Sequence, residues 1–141
     1  MHIDRMQPLE WTARARRLQA ARDFIEENLQ REDLTPAGVA RALGISIRQL
    51  HLLFEPTGQS FSRYVLARRL ERARSQLAHH PERTVMHIAL ACGIKSSSVF
   101  YRGFRDAFGV KPMDYRRSLR ESGRSGSAAL ASPAQGSRTA R

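Results

Sequence analysis

Apolar residues return every three or four positions at Leu18, Ala21, Ile25 and Leu29, which puts them on one face of an amphipathic helix over 15–29. Residues 1–14 show no clean period, and Trp11 within them is expected to be a packing residue or a remnant of an upstream connection. Thr35-Pro36 then offers a helix start, since the hydroxyl can accept an orphan amide and proline is preset for a first turn. That helix should stop at Leu43, because Gly44 tolerates the positive φ of a sharp turn. Ser46-Ile47-Arg48-Gln49 has the Ser-x-x-Gln form of a capping box, so a new helix begins there and runs through Phe54 to end near Pro56, with Gly58 at the exit.

A long helix is predicted from Ser60 to about His79, with Leu66, Leu70, Ala73 and Leu77 inward and Arg63, Arg68, Arg69, Arg72 and Arg74 mostly elsewhere. After His80-Pro81, Thr84 can cap a helix to Cys92, and Gly93 can turn. The Ser96–Ser98 run can cap another helix to Phe108, and Pro112 opens a last one over 112–121. The pattern is all-α, about seven helices in one domain over 15–121. Beyond Glu121 the only large hydrophobe is Leu130, too little to offset ordering entropy, which predicts a disordered tail over 122–141.

The chain also repeats itself. Ala40-x-x-x-Gly44-Ile45 recurs as Ala89-x-x-x-Gly93-Ile94, and Leu50 and Phe54 are answered by Phe100 and Phe104. Gly58 and Gly109 are each followed six positions later by a tyrosine, Tyr64 and Tyr115. A small alanine lets two helices cross closely, glycine takes the turn, and the apolar residues behind hold the crossing angle, which describes a helix-turn-helix. The units span 35–55 and 84–108, joined by the long helix over 60–79. Helical hairpins that never touch DNA can pack this way too, so partner chemistry needs a separate argument.

Charge supplies part of it. Among 141 residues, 24 Lys and Arg stand against 13 Asp and Glu, a formal charge of +11, which raises a potential that attracts polyanions. Only Lys95 and Lys111 are lysines, and the arginine fork grips phosphate and guanine edges bidentately where an ammonium does not. One cysteine, Cys92, excludes an internal disulfide and a cysteine-rich zinc site. The start Met-His-Ile-Asp-Arg lacks the apolar core of a signal peptide, and no apolar run nears the roughly 20 residues that cross a bilayer, so a cytoplasmic location is expected.

The stretch from Leu34 to Arg117 resembles the DNA-binding domain of the AraC/XylS family of bacterial transcription regulators. The resemblance rests on Ile47-Arg48-Gln49-Leu50-His51-Leu52-Leu53-Phe54, on Arg69-Leu70-Glu71-Arg72-Ala73, and on Phe104-x-x-x-Phe108-Gly109-Val110-x-Pro112-x-x-Tyr115-Arg116. It implies two homeodomain-like helix-turn-helix subdomains joined by a rigid helix, each placing its second helix (47–54 and 97–108) in a major groove of double-stranded DNA, usually to recruit RNA polymerase and activate transcription. Ile94 stands where the family usually has phenylalanine, Val99 where an aromatic is common, and Tyr101 where a small polar residue is usual. Many members place a ligand-sensing domain ahead of this one, and residues 1–14 are too few for it, so the domain either stands alone or was cut.

The helical wheel assigns candidate readers. With Leu50, Leu53 and Phe54 inward, Arg48, His51, Leu52 and Glu55 face out. Arg48, in the first turn, is the principal candidate base reader, with a phosphate contact as the alternative. His51 is either a donor to a base or phosphate or a solvated histidine, and Leu52 either touches a thymine methyl or leaves that spot unread. Ser46 and Gln49 form the cap and, lying at the same end, are also counted among the candidate DNA contacts, with capping the favoured role for Ser46. In the second unit Phe100, Phe104 and Phe108 form a core stripe and leave Ser97, Ser98, Tyr101, Arg102 and Arg105 outward. Arg102 is the second reader; Ser96, Ser97 and Ser98 divide between bases, phosphates and capping, while Lys95, Lys111 and Arg116 suit phosphates.

Enzymatic readings lack a constellation. Cys92 has no matched base and sits among alanines, and repair activators that carry a domain of this family need several metal-binding cysteines. His79, His80 and Glu82 around Pro81 have the composition of a solvated turn, with an adventitious metal as the alternative, and no cofactor or resident metal is expected. The rival class is an interaction module that antagonises a full-length relative without reading DNA, and it predicts weak, sequence-independent binding.

Overall fold

Five helices start on a side-chain hydroxyl in the computed structural model, which describes residues 8–123. Thr35, Ser46, Ser60, Thr84 and Ser96 each accept the amide three residues on, at 3.0–3.2 Å, satisfying donors that have no partner within a helix. The elements are α1 (Pro8–Glu27), α2 (Pro36–Leu43), α3 (Ile47–Phe54), a 3-10 turn (Glu55–Thr57), α4 (Phe61–His79), α5 (Val85–Ala91), α6 (Ser97–Phe108) and α7 over 112–123. No strand occurs among the described residues, as the all-α pattern predicted.

The two turns of the repeat are built from the same hydrogen bonds. Ile45 N donates to Ala40 O at 3.0 Å and Ile94 N to Ala89 O at 2.9 Å, bonds that close only when the intervening glycine is left-handed. Gly44 has φ 72° and Gly93 φ 93°. Gly93 carries a second constraint, since a β-carbon there would collide with the Leu29 carbonyl and the Arg69 guanidinium.

Two apolar cores result. The first gathers Ala21, Ile25 and Leu29 with Val39, Ala40, Leu50, Leu53 and Phe54, and is closed by Phe61 and Val65 from the first turns of α4. The second is built on Leu70, Ala73 and Leu77 of the same helix, packed on Ile88, Ala89, Ile94, Phe100 and Phe104. Thus α4 is more than a connector, because its two halves wall different cores and its burial fixes both units to one rod.

Two expectations are corrected. Helix α1 starts at Pro8, seven residues before the predicted Ala15, and Trp11 is 45% exposed instead of packed. Trp11 and Thr12 are exposed and Ala13 and Arg14 only half-buried, so this stretch leaves no period to read. The last helix continues to residue 123, past the predicted 121; the predicted disorder of 124–141 and the reading of residues 1–7 lie outside the described residues.

Candidate nucleic-acid interface

The capping box expected at 46–49 closes in full: Ser46 Oγ accepts Gln49 N at 3.0 Å, and Gln49 Oε1 accepts Ser46 N at 2.8 Å. Both side chains therefore hold the entering end of α3 in shape. Leu50, Leu53 and Phe54 are buried, and that leaves Arg48, His51, Leu52 and Glu55 on an exposed ridge. Leu52 crests it at 39% exposure, with a cleft on each side. One cleft runs from Arg48, His51 and Glu55 to the start of α4 at Gly58–Phe61. The other runs from Gln49 and Leu52 to Arg14 and Arg17 of α1. Arg14 Nη2 donates to Leu52 O at 2.9 Å, so α1 grips the last turn of this ridge helix.

Helix α6 repeats the arrangement. Ser96 caps it, and its hydroxyl lies 3.3 Å from Ser98 Oγ, which ties two of the three serines to the helix start and leaves Ser97 exposed beside them. Phe100 and Phe104 are buried and Phe108 packs against them, as the stripe predicted. Tyr101, Arg102 and Arg105 stand outward and share a cleft with Asp106 and Lys111. The Tyr101 ring rests edge-on against Phe100 at 5.6 Å, which holds its hydroxyl end out toward solvent.

Arginine partners separate two populations that charge counting cannot. Arg68 and Arg72 pair with Glu26, Arg74 with Glu71, and Arg31 with Asp33, all away from the two ridges. Arg48, Arg102, Arg105 and Lys111 make no ion pair with any described residue. Both ridges thus carry cations without an ion pair among the described residues, as do exposed arginines elsewhere such as Arg41 and Arg63, and a polyanion would meet the ridge cations without first displacing a carboxylate.

Two predicted phosphate ligands sit differently. Arg116 is 8% exposed, and its Nη1 and Nη2 donate to Arg83 O at 2.7 Å and His80 O at 3.1 Å. It fastens α7 to the loop between α4 and α5 and is buried away from any phosphate. Lys95 is exposed, yet it pairs at 2.6 Å with Glu32 of the loop that leads into the first unit, so it ties the second unit to that loop and reaches a phosphate only by giving up that carboxylate.

The sequence pattern passed over the junction between the units. Arg69, among the arginines placed away from the core, donates through Nε to Leu29 O at 2.8 Å and through Nη2 to Arg31 O at 2.9 Å. Arg68 meets Glu26 with two hydrogen bonds and Arg72 adds a third, and the Arg68 contact holds the Glu26 carboxyl below its ordinary range. Burial alone depresses the Arg69 guanidinium, and burial pushes the Cys92 thiol up, which disfavours its thiolate. A run of arginines on a polar face was the only signal available, and it does not say which of them faces a neighbour.

Comparison with known proteins agrees with this geometry. A family model described as a helix-turn-helix domain matches residues 39–118. The transcriptional activator RhrA of Rhizobium meliloti is 39% identical over 94 residues, 66% of this chain and 30% of the relative. The transcriptional activator NphR of a Rhodococcus species is 36% identical over 93 residues, 66% of this chain and 28% of the relative. The chain therefore spans about a third or less of these relatives' lengths. Among solved structures, a transcriptional regulator from Chromobacterium violaceum with an AraC-type DNA-binding domain superposes with a TM-score of 0.69 at 32% identity, covering 77% of this chain and 96% of that one.

Proposed function

Since this chain belongs to the AraC/XylS family of helix-turn-helix transcription regulators, we propose that it binds a specific site on double-stranded DNA by seating α3 and α6 in successive major grooves. The observation that carries the reading is the pair of ridges whose outward cations lack carboxylate partners, each borne on a helix rigidly backed by its own core. In the first unit Arg48 reads a base edge, His51 donates nearby, and Leu52 meets a thymine methyl. In the second, Arg102 reads a base, Ser97, Ser98 and Tyr101 serve the entering end, and Arg105 and Lys111 take phosphates. One monomer carries both units, and no helix among the described residues is long and apolar enough to cross a membrane. Activation through contact with RNA polymerase is proposed by analogy with the relatives named as activators.

Selection of bound fragments from genomic DNA, followed by titration of the enriched duplex and a scrambled one at two salt concentrations, tests the reading. It expects a common site protected over two adjacent grooves and a steep salt dependence on top of sequence preference. Equal affinity for the enriched and scrambled duplexes would overturn it.

A further inference from the structure

A helix lying in a major groove has a sugar-phosphate chain along both of its flanks, because the groove is only about 12 Å wide. Contacts to those chains set the helix's depth and register while the base edges are read. On one flank of α3 the protein offers the start of α4, with the Ser60 cap and the exposed Arg63 in its first turn. The other flank is the cleft of about 490 Å³ between α3 and α1, which has Leu52 on its ridge side.

We propose that Arg14 and Arg17 of α1 form a binding site for DNA backbone phosphate on that second flank. The proposal deepens the function proposed above and rests on α3 entering a major groove. Both arginines line the cleft with Gln49 and Leu52, on the outward side of the core that Ala21 and Ile25 of the same helix help to fill. Arg14 is held in place by its bond to the Leu52 carbonyl, so its position relative to the ridge is set before DNA arrives. Arg17 is exposed and has no ion pair among the described residues.

The internal repeat gives an independent argument. Ala21 and Ile25 of α1 are answered by Ala73 and Leu77 of α4, each pair buried in its own core, and this register sets Arg14 opposite Leu66. Leu50 is answered by Phe100, and this sets Leu52 opposite Arg102. In the second unit the matching cleft is lined by Leu66 from the preceding helix and Arg102 from the ridge helix. In the first unit the types are exchanged: the leucine is on the ridge and the arginine on the preceding helix. Each cleft keeps an arginine in its lining, beside Asp106 in the second unit, and the first unit supplies it from α1, where the ridge residue is apolar.

The test uses the full chain and the selected duplex, with ethylation interference to map individual phosphates and a salt titration of affinity. Arg17→Ala is compared with Arg16→Ala, an exposed arginine on the same helix that does not line the cleft and so removes equal charge. Arg17→Ala is expected to weaken binding roughly three- to tenfold, to lower the salt slope by about one unit, and to erase interference at one phosphate beside the first half-site. Arg16→Ala is expected to keep that phosphate. Loss of affinity without loss of any mapped phosphate, or the same change in both variants, overturns the inference and leaves the proposed function standing. A wild-type chain with no discrete phosphate pattern on its selected duplex overturns both.

Discussion

Arg69 Nε donates to the carbonyl of Leu29 at 2.8 Å, and this bond joins the helix that carries both units to the loop that ends the first unit's opening helix. Gly93, the turn residue of the second unit, lies against the same two partners. Three segments distant in sequence thus meet at one point, between the two units.

Arg69→Ala is therefore expected to leave helical content nearly unchanged while lowering stability by about 1–3 kcal/mol, the range for losing a charged donor to part-buried carbonyls. The more telling effect is on geometry: the variant should tolerate an extra base pair between half-sites that the wild type rejects. Binding across a series of spacing variants reads this, and an unchanged spacing preference would show that α4 alone sets the angle.

Glu26 makes the same junction sensitive to acid. The Arg68 hydrogen bond lowers the carboxyl's pKa in the folded state, so its stabilisation is fully present above the ordinary carboxylate value and is lost as pH falls through the lowered one. Glu26→Gln should melt lower than wild type at pH 7, and the two melting curves should draw together as pH falls below the ordinary carboxylate range. Curves that stay equally separated throughout would place the cause elsewhere.

Arg116→Ala is expected to act on stability and not on DNA contact. Its removal leaves the Arg83 and His80 carbonyls without their donor and frees the base of α7, a loss of about 2 kcal/mol. The salt slope of binding, measured at a temperature where the variant is folded, should be that of the wild type; a slope smaller by one unit would restore the arginine to the phosphate set.

Base readers and phosphate ligands should separate by sequence dependence. Arg48→Ala is expected to relax preference at one base position, at a cost of about 1–3 kcal/mol on the preferred site only. Lys111→Ala should weaken all duplexes alike and reduce the salt slope by about one unit. A panel of single-base variants of the site distinguishes them, and uniform losses from both substitutions would remove Arg48 from the readers.

The rod between the units also makes a demand on the DNA. The 19 residues of α4 span about 28 Å, short of the roughly 34 Å between successive major grooves on one face. With the junction held by Arg69 and Glu26, the duplex is expected to bend toward the protein when both half-sites are occupied. A phasing assay that shows straight DNA while both half-sites are protected would refute the bend.

Much of this molecule was legible in one dimension because its parts are held by local bonds. A hydroxyl three residues before an amide, a glycine four residues after an alanine, and phenylalanines four apart specify caps, turns and buried stripes wherever they occur, so both units and both ridges followed from spacing. Which arginines are spent and which are free did not. Arg69 and Arg116 end on carbonyls about 40 and 33 residues away, and Lys95 on the Glu32 carboxylate between α1 and α2, while Arg48 and Arg102 meet no carboxylate among the described residues. Hydrophobic periodicity tells a charged residue only that it lies off the core. Whether it then faces water or a partner across the fold is settled by how distant segments pack, and that information exists only in three dimensions.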